Sequence, residues 1–374
     1  MRIGIVCFAA IGGSSTVAAS LASRLVSAGD FVVVLAPALP PRLRRERGVV
    51  FRAVPEAGHP LWPGSAEEIR RLAEALAQAV ADDRLDLLHA HYAHPHALAA
   101  VAARERLPAA RRPTVVTTLH GSDVTECPSV AAALRGSDGV SAVSPFLADA
   151  AAAVYGIPRP LVIDNFLDAD SLRRVPGRER RCGFGDERVL LHVSTLRPMK
   201  RAVDCIGILA RVRRQLPCRL LVVGDGPDAA AMRAEAERRG LADALHLVGA
   251  TANVGAYLDQ ADLLLCPSAS ESFGMAALEA MAAGVPVVGS RVGGLTEVVA
   301  DEVCGRLLPV GDLDGMAEAA CQILLQPRLA AAYAEAGQRI ARTRFSPDNA
   351  IAAYRGLYAA TRAGQGAQLS TGAP

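Results

Sequence analysis

The sequence predicts an α/β protein made of two doubly wound, Rossmann-like domains, and three observations carry that prediction. Short apolar runs alternate with Ala-, Leu- and Arg-rich helical stretches along the chain, which is the βα signature of a parallel sheet. Many of the runs are apolar throughout, as in Phe31-Val32-Val33-Val34-Leu35-Ala36. That pattern fits strands buried on both faces. The alternation lapses in a polar stretch rich in Arg and Gly at 168–186 and restarts near 188, and 374 residues suit two domains of ordinary size.

In chain order, strands are expected at 2–8, 31–36, 49–54, 86–90, 114–119, 139–143 and 161–163, then at 188–194, 218–223, 245–248, 262–266, 285–288 and 306–308. Helices are expected between them, at 15–28, 66–82, 94–105, 144–155, 202–214, 228–239, 253–259, 274–283, 294–299, 313–325 and 328–343. A last helix at 347–362 follows Phe345-Ser346-Pro347. The boundaries that follow are a first domain over 1–168, a second over 169–346, and a Gly-, Ser- and Thr-rich tail over 363–374 expected to be disordered. Two such domains leave a cleft between the carboxyl ends of their strands, the default place for a ligand.

Composition narrows the function. The residues are 51% hydrophobic and 21% charged, with 40 basic against 38 acidic side chains and 4% aromatics. That is a globular composition. It gives no footing for nucleic acid as a partner, because neither net charge nor stacking platforms are present. The basic run Arg42-Leu43-Arg44-Arg45-Glu46-Arg47 reads as a solvated loop edge. Eight cysteines are scattered without C-x-x-C pairs, so neither zinc nor redox chemistry is indicated and a reducing cytoplasm is expected. No apolar stretch approaches the roughly 20 residues of a membrane span, and Met1-Arg2 leads directly into a strand pattern instead of a signal peptide.

The most informative segment is Ser270-Glu271-Ser272-Phe273-Gly274-Met275, followed by Ala276-Ala277-Leu278-Glu279 and the Gly284-Val285-Pro286 turn. It reads as loop, helix, turn and buried strand. A helix start offers free backbone N–H groups and partial positive charge, and two carboxylates eight residues apart bracket it. Glu271 suits sugar hydroxyls and Glu279, two turns on, suits a ribose. The bland alternative is a capped helix with solvated glutamates. Strand one ends in Ile11-Gly12-Gly13-Ser14-Ser15-Thr16. Its glycines permit close approach of a phosphate, although the run is neither G-x-G-x-x-G nor a Walker loop. His89, His91, His94 and His96 crowd one strand end, but without acidic or thiol partners at ligand spacing a metal is not expected. His120 and Asp123 end another strand, with His120 facing the cleft. Arg197, Lys200 and Arg201 cluster at the turn after the first strand of the second domain, where cations suit a diphosphate. Gly224-Asp225-Gly226-Pro227 and Ser290-Arg291-Val292-Gly293-Gly294 are strand-end turns that line the cleft or merely turn. Asp168-Ala169-Asp170 and Asp312-Leu313-Asp314 match D-x-D, but one lies in the linker and the other opens a helix as a cap, so no metal site is assigned to either.

Taken together, these motifs resemble the GT-B, family 4 retaining glycosyltransferases over nearly the whole chain. Within that family, Ile11-Gly12-Gly13-Ser14, His89-Ala90-His91-Tyr92, Thr118-Leu119-His120-Gly121, Asn165-Phe166, Val193-Ser194 through Arg201 and Glu271-Ser272-Phe273-Gly274 are similar to the signature stretches of the N-acetylglucosaminyl malate synthases of bacillithiol biosynthesis. The resemblance implies the GT-B fold, with helix 347–362 crossing back to the first, acceptor-side domain. It also implies a UDP- or GDP-sugar as the donor substrate, with no cofactor and no metal. His120, Arg197, Lys200 and Glu271 become the catalytic set. Gly12, Gly13, Ser14, Arg201, Gly224, Asp225, the backbone of Ser272, Phe273, Gly274 and Met275, and Glu279 hold the donor. Ser15, His91, Tyr92 and Asp123 meet a small polar acceptor. A homodimer is left open.

The stretch Gly58-His59-Pro60-Leu61-Trp62-Pro63-Gly64-Ser65 departs from the Tyr-Pro-Pro-Tyr-like stretch of the malate synthases, so the acceptor stays open between malate and another small molecule. One alternative is an S-glycosyltransferase of lincosamide-type antibiotic biosynthesis that joins a GDP-sugar to a thiol such as ergothioneine. A nucleotide-sugar epimerase and a two-lobed sugar-binding protein are the other readings.

Overall fold

The computed structural model describes residues 1–43, 48–58, 64–125, 130–168 and 187–364. The chain divides into two compact units, Met1–Phe166 with Pro347–Pro374, and Leu167–Ser346.

The first unit holds seven strands: β1 Arg2–Val6, β2 Phe31–Ala36, β3 Val49–Ala53, β4 Leu87–His91, β5 Thr114–Leu119, β6 Gly139–Ala142 and β7 Leu161–Val162. Their order is β3-β2-β1-β4-β5-β6-β7, and every pairing is parallel. The second unit holds β8 Arg188–Val193, β9 Cys218–Val223, β10 Leu245–Gly249, β11 Leu263–Cys266, β12 Val287–Ser290 and β13 Gly305–Leu308. They run in the order β10-β9-β8-β11-β12-β13, again with parallel neighbours. All thirteen strands fall within a few residues of the positions expected from apolar runs.

Strand order reverses direction between β1 and β4 in the first sheet and between β8 and β11 in the second. Crossover helices leave on opposite faces at such a point, so the carboxyl ends of those strands open a crevice. The sequence places Gly12-Gly13 after β1, His91 at the end of β4, Arg197 after β8 and Glu271 after β11. The motifs thus sit where each sheet leaves room for a ligand.

Most helices follow the sequence expectation. The helix Ala66–Asp83 opens with a capping box, in which the Ser65 hydroxyl accepts from the Glu68 N–H and the Glu68 carboxylate accepts from the Ser65 N–H. Its Leu72, Leu76 and Val80 pack on Val33 and Leu35 of β2. Two differences have clear causes. A helix expected from 94 begins instead at Leu98, after a kinked turn over Ala93–Ala97 in which His94 has φ −115° and ψ 130°. The residue before a proline is driven out of helical geometry, and Pro95 follows. The short helices Ser122–Thr125 and Ala131–Gly136 were not expected, because segments this short display less than two turns of periodicity. The expected disordered tail, Arg44–Arg47 of the basic run, most of the 58–65 stretch, the linker and the Ala169-Asp170 part of the first D-x-D match lie outside the described residues.

The helix Pro347–Arg362 belongs to the first unit. Tyr354 and Tyr358 on it are fully buried. A Cβ at Gly139 of β6 would lie 2.5 Å from Thr361 Cγ2, so only glycine lets this helix lie so close to the strand. The six described cysteines are all reduced and buried, where they act as small apolar side chains. No described helix is long and apolar enough to cross a membrane.

Candidate active site

In the first unit, strand β1 runs through Phe8 into the helix Gly13–Ser27, which has no acidic residue in its first turn. The Ser15 hydroxyl donates to the Phe8 carbonyl at 2.8 Å, and the Thr16 hydroxyl donates to the Gly12 carbonyl at 2.9 Å. These bonds fix the turn and leave the helix N-terminus uncovered by any carboxylate of its own. A Cβ at Gly12 would meet nothing within 4 Å. Gly12 therefore does not serve packing. Ser15 is buried and occupied with the turn, so it shapes the site through the backbone. Ser14 accepts from the Tyr92 hydroxyl at 3.1 Å, tying the helix start to the end of β4.

The histidines divide sharply by partner. His89 is buried between the Thr118 hydroxyl, 2.7 Å from Nε2, and the Tyr358 hydroxyl, 2.8 Å from Nδ1. Burial lowers its pKa to about 3. His96 Nδ1 lies 2.5 Å from the His91 carbonyl, and burial lowers its pKa to about 4. His91 Nδ1 lies 2.9 Å from His120 Nε2, with the two rings stacked at 5.1 Å. Tyr92, held at φ 86°, lies against His120 with 4.9 Å between ring centroids. Three of the four histidines close in sequence, His89, His91 and His96, are thus spent on hydrogen bonds as buried rings. Among the described residues no group of three or more His, Cys, Asp or Glu is arranged for a metal.

Asp123 joins the ends of β4 and β5. Its Oδ1 accepts from the His120 and Gly121 N–H groups at 3.2 and 2.8 Å, and its Oδ2 accepts from the Ala93 N–H at 3.1 Å. Expected to meet an acceptor, it instead spends both oxygens on the backbone, which orients His120. Burial pushes its carboxyl up to about 6 from 3.8, against the opposing pull of those N–H donors. The raised value means the folded state favours the protonated acid. The stabilisation is therefore complete below about pH 4 and lost as pH rises through about 6. Thermal melts of Asp123→Asn, which cannot titrate, are expected to lack this part of the wild-type decline between pH 4 and 6. An identical decline in both proteins would show that Asp123 is not its source.

In the second unit, β8 ends at Val193 and the loop Ser194–Arg197 enters a short 3₁₀ turn, Pro198–Lys200. The loop lies directly on the end of β9. The Leu196 N–H donates to the Asp225 carbonyl and the Asp228 N–H donates to the Leu196 carbonyl, both at 2.9 Å. Gly224, at φ +133°, would place a Cβ 1.7 Å from the Ser194 carbonyl oxygen, and Gly226, at φ +151°, would place one 2.7 Å from the Leu196 oxygen. Gly224 and Asp225 thus support the cation-bearing loop from beneath.

Lys200 Nζ donates to Glu271 Oε1 at 2.8 Å, and the Ser268 hydroxyl donates to the same oxygen at 2.8 Å. The pair joins the loops that follow β8 and β11. The Ala269 N–H donates to the Met199 carbonyl at 2.8 Å, a second tie between them. Arg201, at φ 49°, is held by Asp204 through an N–H bond of 2.7 Å. Glu279 is buried within the helix Met275–Ala283, which starts at Gly274 without a side-chain cap or an acidic first turn. The Gly294 N–H donates to the Glu271 carbonyl at 2.9 Å, and a Cβ at Gly294 would lie 2.3 Å from the Ser272 oxygen. The Gly-rich loop thus buttresses the segment Glu271–Gly274. The Phe273 ring is buried against Phe345, edge to face at 5.5 Å, so only its backbone is available to a ligand. Asp312, in the second D-x-D match, caps its helix by accepting from the Gly315 N–H at 2.8 Å.

Two supporting residues escaped the sequence reading. His192 Nδ1 lies 2.9 Å from the Leu265 carbonyl and must donate to it, so Nε2 accepts from the Ser194 hydroxyl at 2.8 Å. This neutral ring, its pKa lowered to about 4 chiefly by burial, fastens the start of the cationic loop to β11. A histidine in the apolar run Leu190-Leu191-His192-Val193 was the available signal. Tyr358 was the other, and nothing near it in sequence announces His89.

Two doubly wound parallel units, each with an uncapped helix start and strand-end loops around a topological switch, make up the architecture of GT-B glycosyltransferases. The sequence pattern described as Glycosyltransferase Family 4 matches residues 11–171, and that of Glycosyl transferases group 1 matches residues 179–340. The N-acetyl-alpha-D-glucosaminyl L-malate synthase of Bacillus anthracis is 30% identical over 370 residues, 96% of either chain. The D-inositol 3-phosphate glycosyltransferase of Segniliparus rotundus is 37% identical over 180 residues, 45% of this chain and 40% of that one. Among solved structures, Anabaena HepE in complex with UDP and glucose superposes with a TM-score of 0.82 at 22% identity, covering 96% of this chain and 99% of its own. Sucrose-phosphate synthase of Thermosynechococcus elongatus does so with a TM-score of 0.78 at 21% identity, covering 97% and 99%. The chain belongs to the family 4 glycosyltransferases of GT-B fold.

Proposed function

We propose that this glycosyltransferase moves a sugar, with retention of anomeric configuration, from a nucleoside diphosphate to a small polar acceptor, in the manner of an N-acetylglucosaminyl malate synthase. The observation that carries the reading is the 30% identity to the Bacillus anthracis malate synthase across 96% of both chains. The site chemistry supports it. Arg197 and Lys200 on the loop after β8 would neutralise the diphosphate as it departs. The N-termini of the helices Gly13–Ser27 and Met275–Ala283 offer N–H groups to phosphate or sugar oxygens. Glu271, held by Lys200 and Ser268, would accept from sugar hydroxyls, and Glu279 would accept from the ribose. No carboxylate of the first unit's set is placed as a nucleophile, since Asp123 is committed to backbone N–H groups. The acceptor would therefore attack from the side of the leaving group, with catalysis by positioning and charge stabilisation. The second unit would hold the nucleotide sugar, and the first would take the acceptor, its Gly12-Gly13 turn also serving the donor.

Nucleotide release from UDP-N-acetylglucosamine, with and without L-malate, tests this directly, with products followed by mass spectrometry. Malate-dependent UDP release with a new glycoside is the expected result. Folded protein that is silent with malate but forms a thioglycoside from a GDP-sugar would replace malate with a thiol acceptor. Interconversion of sugars on the donor alone would replace transfer with epimerisation.

A further inference from the structure

We infer that His91 is a positioning residue that fixes the tautomer of His120, holding the His120 proton on Nδ1. The inference rests on the glycosyl-transfer reading only for its kinetic consequence. The geometry itself is independent of it.

His91 is 1% exposed and His120 8%. Burial lowers the pKa of His120 to about 3, and that of His91 well below 6.5. Both rings are therefore neutral at ordinary pH, and each carries a single N–H. The 2.9 Å contact between His91 Nδ1 and His120 Nε2 needs one proton between them, and two arrangements supply it. If His120 Nε2–H donates, His91 must carry its own proton on Nε2. That atom is buried and has no hydrogen-bond partner in the protein, so the arrangement strands a buried N–H donor. If His91 Nδ1–H donates, only a lone pair is stranded at His91 Nε2, and His120 must carry its proton on Nδ1. Buried orphan N–H groups are rarer and more costly than under-satisfied acceptors, so the second arrangement prevails. The partner of one ring nitrogen dictates where the other ring's proton sits.

The surroundings keep the pair from rearranging. The His91 ring lies between His89, 4.4 Å away, and His120, 5.1 Å away. The His91 carbonyl is held by His96, and the His120 backbone N–H is held by Asp123. The nearby Asp123 carboxylate accepts from the backbone N–H groups of Ala93, His120 and Gly121, and burial disfavours the charged form of both rings. His120 is thereby a fixed donor at Nδ1 and a fixed acceptor at Nε2, with the acceptor already taken by His91.

Long-range proton–nitrogen correlation spectra of the full-length protein, labelled at histidine nitrogen, read the tautomer without any substrate. A His120 signature of Nδ1–H and bare Nε2 is expected, and Nε2–H at His120 overturns the inference, whatever the enzyme transfers. Kinetics give the second arm. An Asn side chain can place its amide donor near the Nδ1 position, whereas Phe keeps the ring shape without any donor. His91→Phe is expected to lower kcat about 10- to 100-fold, the size of loss seen when the group that orients a functional histidine is removed, with donor KM changed less than about threefold. His91→Asn is expected to recover most of that loss. Folded His91→Phe with wild-type kcat, or equal losses in both variants, would show that His91 acts by packing alone. Should His91→Phe fail to fold, the wild-type spectrum still decides.

Discussion

Lys200→Ala is expected to lower turnover about 10²- to 10³-fold, the usual cost of one charge-stabilising group, while the melting temperature moves by only a few degrees. The asymmetry follows from where Lys200 sits. Its side chain is 19% exposed and that of Glu271 is 13%, so the ion pair is neither fully desolvated nor freely solvated. Pairs near the surface contribute on the order of 1 kcal/mol or less to folding. A departing diphosphate gains charge as the glycosidic bond breaks, and a fixed ammonium is worth far more to that transition state than to the fold. Arg197→Ala is expected to act in the same direction. Glu271→Gln separates the two roles of the pair, because it removes the partner and leaves the cation. If Lys200 served only to orient Glu271, Lys200→Ala and Glu271→Gln would cost the same, and the double variant would cost no more than either. Steady-state kinetics on the three proteins decide it, and activity of Lys200→Ala within a few-fold of wild type would remove the diphosphate assignment.

The second large effect is structural. Gly224→Ala is expected to destabilise the second unit by more than about 4 kcal/mol, a size reserved for gross steric conflict, and to abolish activity with it. The obstacle is backbone, not a side chain that can swing aside: the new Cβ would lie 1.7 Å from the Ser194 carbonyl oxygen. Relief requires the loop carrying Arg197 and Lys200 to part from β9, which breaks the bonds of Leu196 and Asp228 that hold it. Gly240→Ala is the control. Gly240 also has positive φ, +67°, but nothing lies within 4 Å of its Cβ position. Its substitution should show only the conformational cost, about 1 kcal/mol. Urea titrations of both variants compare the two, and similar losses would mean the close approach is not obligatory.

These cases show how legibility divided. Strand positions were readable because a buried parallel strand needs a continuous apolar run, and Phe31–Ala36 or Leu263–Cys266 can serve as little else. The helix Met275–Ala283 was readable from its glycine start and Gly284 stop. The support of the site was not. Gly224-Asp225-Gly226-Pro227 has the composition of an ordinary turn, and only the approach of Ser194 and Leu196 makes its glycines obligatory. Lys200 and Glu271 were each singled out, but their bond spans 71 positions, and spacing alone cannot pair charges across two βα units. Asp123 looked like a ligand-facing carboxylate because strand-end acids often are. Three backbone N–H groups converging on it are a property of the folded turn, invisible in the letters. The kink at Ala93–Ala97 was signalled by Pro95, yet the strength of the surrounding alanine pattern hid it.

The bond between Tyr358 and His89 has a consequence for how the protein is made. A ribosome releases the seven strands of the first unit early, but the helix that completes that unit is separated from them by all of Leu167–Ser346. Nascent domains generally fold as they emerge, so the second unit can be finished while the first still waits. During that interval His89 lacks the hydroxyl of Tyr358 and Thr118 lacks that of Tyr354, and the floor of β6 at Gly139 lies open to water. The half synthesised first is the half that closes last, and a chain stalled before residue 347 would carry that unclosed face into the cell.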